Sequence, residues 1–363
     1  MKNTSLRVMF PEAGRTELQE FPMPVISAPT DVLIETEYSI VSAGTELACR
    51  AGIEGWAPLP FCPGYGSVGR VIAHGPAVKN LTLGQRVLTY GKHAKHALAD
   101  RVVVPVPEGL DPVKAVFARM AGVSVAASRV SEAEIGDFVA VIGLGLVGIF
   151  SAQLFGLSGC EVIAIDPSPR RREQARACGI PHVLAGGPDV KREVAAITGG
   201  RMCAAVIDAT GLSSVALEVA PQLAGVQAEI ILLGSPRASH VADVTPFLSG
   251  VHLAFGAAQV KGALEWRFPV LAHPEGLYKH SVESNIRQLL RLIHQGKLVV
   301  DPLLTHLASP NDCDSVYSGL ATQKEVYTGA VFDWSRVHPR PAPPASGEFA
   351  TARARDLVLA GRS

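Results

Sequence analysis

At 363 residues, with 48% hydrophobic and 18% charged residues, the chain has the balance of a globular protein and the length for two domain cores. Its 33 Lys and Arg equal its 33 Asp and Glu, which removes the electrostatic footprint of a nucleic-acid binder, and no block of like charge points to a membrane surface. Six scattered cysteines without a C-x-x-C pair read as buried thiols of a reducing compartment, the cytoplasm, and Met1 to Phe10 holds no apolar run suited to a signal peptide.

Residues 1–120 read as a β-rich domain. Short apolar runs at 32–36, 68–72 and 101–104 lie between Gly and Pro turns, and Leu83-Gly84-Gln85-Arg86-Val87 reads as a turn feeding a strand. From 121 to 264 the pattern becomes alternating strand and helix. Strands are expected at 139–142, 161–165, 205–208 and 229–233, with a helix over 170–178. That alternation implies a parallel sheet with right-handed crossovers. The uncharged stretch from Phe138 to Cys160 is long enough to cross a bilayer. It opens with a β-branched alternation and contains five glycines, so strand, turn and buried helix describe it better. Residues 265–336 are mixed. Ile286, Leu289, Leu290 and Ile293 have helical spacing over 282–294, 303–307 reads as a strand, 313–322 as a helix and 330–332 as a last strand. The Pro-rich residues 337–363 read as a flexible tail. No internal repeat is visible.

Gly143-Leu144-Gly145-Leu146-Val147-Gly148 is G-x-G-x-x-G between an expected strand and an expected helix, the context that gives this motif meaning. The first Gly allows the tight turn, the second lets backbone approach a pyrophosphate, and the third packs helix on strand. The helix start, with Leu146 and Val147, then offers free N–H groups to phosphate. The second strand ends at Asp166, 23 residues after Gly143. A carboxylate there suits the adenosine ribose hydroxyls and repels a 2′-phosphate, favouring NAD(H) over NADP(H). Arg170, Arg171 and Arg172 follow at once; an arginine there, Arg171 in particular, contacts the cofactor or simply starts a solvated helix. Ala209, Thr210, Gly234 and Ser235 stand at two further strand ends, either as contacts to the nicotinamide half or as strand-ending turns.

The order of these parts, with Gly64-Tyr65-Gly66-Ser67-Val68-Gly69-Arg70-Val71, Gly84-Gln85-Arg86-Val87 and the glycine motif, resembles the medium-chain dehydrogenase/reductase superfamily over residues 6–334. Ser42-Ala43-Gly44-Thr45-Glu46, Leu232-Leu233-Gly234-Ser235-Pro236-Arg237 and Gly329-Ala330-Val331-Phe332-Asp333-Trp334 are similar to the branch that includes bacteriochlorophyllide a dehydrogenase and dehydrogenases of secondary metabolism. The resemblance implies a GroES-like β domain, completed by 265–336, beside a Rossmann domain, with the active site in the cleft between them. It also implies homodimers joined through edge strands of the dinucleotide sheets. The stretch Phe247 to Ala258, with Val251, Leu253 and Phe255 alternating, is the expected edge. His252 on it reads as packing or interface.

Zinc-dependent members of the superfamily hold the metal with residues that this chain replaces. The matching positions carry Ala43, Tyr65, Gly66 and, near the third ligand, Met120, and the four-cysteine structural zinc lobe is missing. A catalytic zinc needs three protein ligands, so no metal is expected. Other side chains must then meet the charge that develops on a carbonyl oxygen. Thr45 matches the hydroxyl that zinc relatives use as a proton relay, Tyr65 replaces a metal ligand, and His93 falls where relatives place a pocket-lining aromatic. These three are the expected catalytic residues. Each has a plainer reading: a turn residue, a core phenol and a surface histidine beside Lys92, Lys95 and His96. Glu46, replacing an aspartate that orients a metal ligand, is expected to bind a substrate hydroxyl or to pair with a neighbour such as Arg50. The expectation is an NAD(H)-dependent enzyme interconverting a secondary alcohol and a ketone on a medium-sized cyclic or polyfunctional metabolite. An NADPH-dependent reductase of activated C=C bonds or quinones, and a cofactor-binding structural or regulatory protein without turnover, are the alternatives.

Overall fold

The computed structural model describes residues 4–99, 101–254, 257–273 and 276–338. Six parallel strands form the central sheet in the spatial order His182–Leu184, Glu161–Ile165, Phe138–Ile142, Cys203–Asp208, Ala224–Leu232, Gln259–Gly262. In chain order this is 3-2-1-4-5-6, the doubly wound arrangement whose crevice opens where the order reverses. That point lies between Ile142 and Asp208, paired at the carboxyl ends of their strands.

Period-two side-chain direction explains why the strands are apolar throughout. Val139, Val141, Val162, Ala164, Ala205 and Ile207 pack against the helices Ala118–Val130, Leu146–Leu157 and Val282–His294. Their alternates Ala140, Ile142, Ile163, Ile165 and Val206 face Val190, Val194 and Leu223 on the other side. The helix Val282–His294 starts with a reciprocal cap. Ser281 Oγ accepts from the Ser284 N–H at 3.0 Å, and Ser284 Oγ accepts from the Ser281 N–H at 2.9 Å. It buries Val282, Ile286, Leu289, Leu290 and Ile293.

The second sheet is mainly antiparallel. Its path runs Leu304–Ala308, Gly329–Asp333, Val32–Ile40, Ser67–His74, Arg86–Thr89, Val103–Pro105, with His96–Ala99 also on Val32–Ile40. The return segment thus completes the first domain through Val331 paired with Ile40. Thr4–Met9 and Glu17–Pro22 form a separate hairpin. The helix Ala118–Val130 runs through the expected boundary at residue 120.

One expected element is replaced. Within 247–258, described residues up to 254 belong to the helix Thr245–Ser249 and a π-type turn, Gly250–Ala254. Val251, His252 and Leu253 are therefore not on a strand, and Phe255 lies outside the described residues. A proline in the first helical turn and Gly250 set this conformation. The edge strand is Gln259–Gly262 instead. The tail expected at 337–363 lies outside the described residues beyond His338. Among the described residues no helix is long and apolar enough to cross a membrane.

Candidate active site

A cavity of about 550 Å³ runs between the two domains. Its dinucleotide end is lined by Gly145, Leu146, Val147, Gly148, Arg171, Ala209, Thr210, Gly234 and Ser235, nine of the expected cofactor residues. The turn is dense at one point and open at another. A Cβ on Gly148 would sit 1.8 Å from the Gly143 carbonyl oxygen, whereas a Cβ on Gly145 would meet nothing within 4 Å. Gly145 caps the helix Leu146–Leu157 with no side-chain hydrogen bond. First-turn N–H groups therefore face the cavity with a partial positive charge, a fit for a pyrophosphate.

Asp166 is buried just beneath this turn. Its carboxylate accepts from the Leu144 N–H at 2.7 Å and the Ser168 N–H at 2.8 Å, and it lies 3.8 Å from Arg171 Nη1. Arg171 reaches over the cavity edge to donate to the Lys324 carbonyl at 3.1 Å, and Lys324 also lines the cavity. Arg172 is tied back to the Asp166 and Pro167 carbonyls. At the next strand end, burial raises the pKa of Asp208, against hydrogen bonds from the Thr210 hydroxyl and amide at 2.6 and 2.8 Å. That pins the Ala209–Thr210 turn facing the cavity.

The other end is lined by Ser42, Thr45, Ile53, Tyr65, Met120 and Arg237. Ser42 and Thr45 open the helix Ala43–Arg50, an element absent from the expectations. The Tyr65 phenol donates to Ser42 Oγ. Burial raises the Tyr65 pKa, and the Arg119 cation with the Ser42 and Thr45 hydroxyls pulls it back. Arg237 closes this end. Its Nε donates to Glu54 Oε1 at 2.6 Å and its Nη2 approaches Thr45 Oγ1 at 3.4 Å.

His93 and Glu46 stand elsewhere. Neither lines the cavity, and both are buried with exposures of 0% and 1%. The Trp334 indole donates to Ser39 Oγ at 2.8 Å, Ser39 Oγ lies 2.8 Å from His93 Nδ1, and His93 Nε2 lies 3.0 Å from Glu46 Oε2. The Tyr317 hydroxyl donates to the same carboxylate oxygen, and the Ser42 N–H donates to the other at 2.8 Å. With the ring proton on Nε2, every donor in this chain meets an acceptor. His93 is neither a surface histidine nor a cavity wall. Glu46 is committed to this network, and Arg50 pairs with Asp314 at 3.3 Å instead.

Two further residues escaped the sequence reading. Arg237 stood only inside a family mark. Arg119 is a charge inside the apolar run Phe117–Ala121, a signal that a buried partner must exist. The partner is Glu265, at 2.9 Å.

Zinc does not fit this donor set. The vacated positions present a methyl group, a phenol, a glycine and a thioether, and among the described residues no three His, Cys, Asp or Glu side chains converge as a metal requires.

A doubly wound sheet with an uncapped helix start, facing side-chain hydroxyls across an interdomain cleft, has the geometry that suits a dinucleotide. The family model described as alcohol dehydrogenase GroES-like domain matches residues 28–126, and the one described as zinc-binding dehydrogenase matches 143–267. The chain belongs to the medium-chain dehydrogenase/reductase superfamily. It is 28% identical over 253 residues to D-guloside 3-dehydrogenase of Escherichia coli K12, covering 67% of this chain and 70% of that one. It is 24% identical over 357 residues to L-threonine 3-dehydrogenase of Mesorhizobium japonicum, covering 87% and 95%. Its fold matches a zinc-binding dehydrogenase of Sinorhizobium meliloti bound to NADP (TM-score 0.74, 19% identity, 91% and 99% covered). It also matches an alcohol dehydrogenase of Escherichia coli CFT073 complexed with NADH (TM-score 0.76, 17% identity, 92% and 100% covered). The chain is an alcohol oxidoreductase of this superfamily.

Proposed function

We propose that the enzyme interconverts a secondary alcohol and a ketone on a medium-sized polyfunctional metabolite, using NAD(H) and no catalytic zinc. The observation that carries this reading is the convergence of the Tyr65, Ser42 and Thr45 oxygens in the same cavity as the Gly145–Gly148 turn. When bound, the nicotinamide supplies the hydride acceptor or donor. Leu146 and Val147 hold the pyrophosphate through their amides, and Thr210 and Ser235 border the nicotinamide end. Tyr65 exchanges the proton of the substrate oxygen, with Ser42 and Thr45 holding the phenol in place. D-guloside and L-threonine dehydrogenases, named for oxidation at C3 of polyfunctional molecules, support the substrate class. The Asp166 carboxylate at the ribose edge supports NAD(H).

A panel of sugar, sugar-acid and amino-alcohol substrates, assayed with NAD+ after chelator treatment, tests the reading. Turnover should survive chelation. Tyr65→Phe should lower it by roughly 10- to 1000-fold with NADH affinity nearly unchanged. A stoichiometric zinc lost together with activity overturns the zinc-free part. Full turnover by Tyr65→Phe, with hydride transfer rate-limiting, overturns the role of Tyr65.

A further inference from the structure

Behind the cleft, the Arg119 side chain is almost wholly buried, 2% exposed. Its guanidinium lies between two phenol rings, 4.7 Å from the Tyr65 centroid and 3.9 Å from the Tyr90 centroid. Each of its three nitrogens donates a hydrogen bond. Nε donates to the Tyr65 carbonyl at 2.9 Å, and Nη1 and Nη2 donate to Glu265 Oε1 and Oε2 at 3.3 and 2.9 Å. The Tyr90 hydroxyl donates to Glu265 Oε1. Room for this comes from Gly66, where a Cβ would stand 2.4 Å from Arg119 Cγ. The Gly66 position, next to Tyr65 in the chain, therefore admits a cation where a side chain of any other residue would block it.

A buried ion pair gives little stability over a well-packed apolar pair, so stability alone is a weak reason for one here. We propose that Arg119 is a positioning residue for the reaction, a fixed positive charge beneath Tyr65 that favours the phenolate the cleft needs in order to accept the substrate proton, with Glu265 setting how much of that charge Tyr65 feels. This inference rests on Tyr65 being the proton-exchanging group. In oxidation, the hydroxyl proton of the alcohol passes to the Tyr65 phenolate oxygen as the carbon-bound hydrogen leaves with its electron pair for the nicotinamide. In reduction, the phenol returns that proton to the ketone oxygen. Arg119 touches neither atom and does not line the cavity.

Burial opposes ionisation of Tyr65, and Arg119 is the largest influence acting the other way. The other groups facing the phenol are Ser42 and Thr45, which favour ionisation, and Glu46, which opposes it. Tyr90, its ring centroid 3.9 Å from the guanidinium, has its own pKa raised well above the usual phenol value, first by burial and also by Glu265, with Arg119 opposing. Tyr90 therefore stays protonated and leaves the cation to act on Tyr65.

The two partners predict opposite signs, which a purely structural role does not. Removing the cation in Arg119→Met should move Tyr65 ionisation to higher pH by about one pH unit or more. Glu265→Gln leaves the cation unneutralised and should move it to lower pH. Arg119→Lys keeps the charge and should stay between Arg119→Met and the unmodified enzyme. Two readouts are used: NMR titration of ring-labelled tyrosine in the cofactor-free protein, with Tyr65 assigned as the signal missing from Tyr65→Phe, and the pH–rate profile for alcohol oxidation. If Arg119→Met does not fold, the Glu265→Gln and Arg119→Lys pair still decides the matter. Shifts of opposite sign in both readouts support the proposal. Shifts of the same sign, or none, with turnover lost in Tyr65→Phe, overturn it and leave the proposed function standing. Full turnover in Tyr65→Phe overturns both.

Discussion

Glu46 illustrates how a side chain's partners decide its role. One carboxylate serves three donors: His93 Nε2, the Tyr317 hydroxyl and the Ser42 amide. Glu46→Ala strands all three donors in a buried site, and each buried donor left without an acceptor costs about 1–3 kcal/mol. Denaturant unfolding should show that loss, and Glu46→Gln, which keeps an acceptor, should show less. An unchanged unfolding midpoint in Glu46→Ala would place the network in contact with solvent. The residues Thr45 and Tyr65 were legible in the sequence because local motifs fix their positions near the helix start and the Gly64–Gly66 turn. His93 and Glu46 were singled out separately in the sequence, but not as partners in a buried network. The other members of the network, Ser39, Tyr317 and Trp334, come from another strand and from the return segment, in pairs up to 295 residues apart along the chain, and no local pattern reveals such pairs. Arg119 escaped although it is a charge inside an apolar run, and its partner Glu265 lies 146 residues further on.

At the level of elements, strong periodicity carried through. The helix 282–294 and four of the six parallel strands were readable because each buries a continuous stripe or both faces, whereas the three-residue strand His182–Leu184 was not. The helix Ala43–Arg50 was not, since it is short and has a mean hydropathy near neutral. The stretch 247–258 misled because Val251, Leu253 and Phe255 alternate, while the real edge strand has only four residues, Gln259–Gly262, too few to show a period. The end of the strand Glu161–Ile165 makes the next prediction. Asp166 lies between the turn amide of Leu144 and the helix that carries Arg171, so on the proposed cofactor placement a carboxylate and a guanidinium would compete for the ribose. Asp166→Ser should raise NADP(H) affinity relative to NAD(H) by roughly tenfold or more, because a like-charge clash costs several kcal/mol. Fluorescence titration of both cofactors measures it. Tighter binding of NADPH by the unmodified enzyme would show that Arg171 and Lys324 dominate instead.

At the scale of the whole molecule, both edge strands of the central sheet, His182–Leu184 and Gln259–Gly262, pair on one side only among the described residues, and the second carries exposed apolar side chains. Gln259–Gly262 pairs with Ala224–Leu232 on one side and with no described strand on the other. Near it in the chain Leu248, Leu253, Leu264 and Trp266 are all more than half exposed, and Val260 on the strand itself is 44% exposed. An unpaired apolar edge invites pairing with another chain. Two copies related by a two-fold axis can join the same strand to itself, which closes the contact and stops further growth. We therefore propose a homodimer built on this strand, a place different from the one that the alternation at 247–258 suggested. Light scattering at micromolar concentration should give twice the chain mass. Val260→Asp sets like charges near each other across the axis and should weaken association by at least about tenfold, leaving the fold intact by circular dichroism. A monomer in the unmodified protein would reject the dimer. A dimer unaffected by Val260→Asp would move the contact to another face, and Trp266, beside Glu265 and edge-on to Tyr90 at 5.9 Å, would then be free to report on the Arg119 network by its fluorescence without interference from an interface.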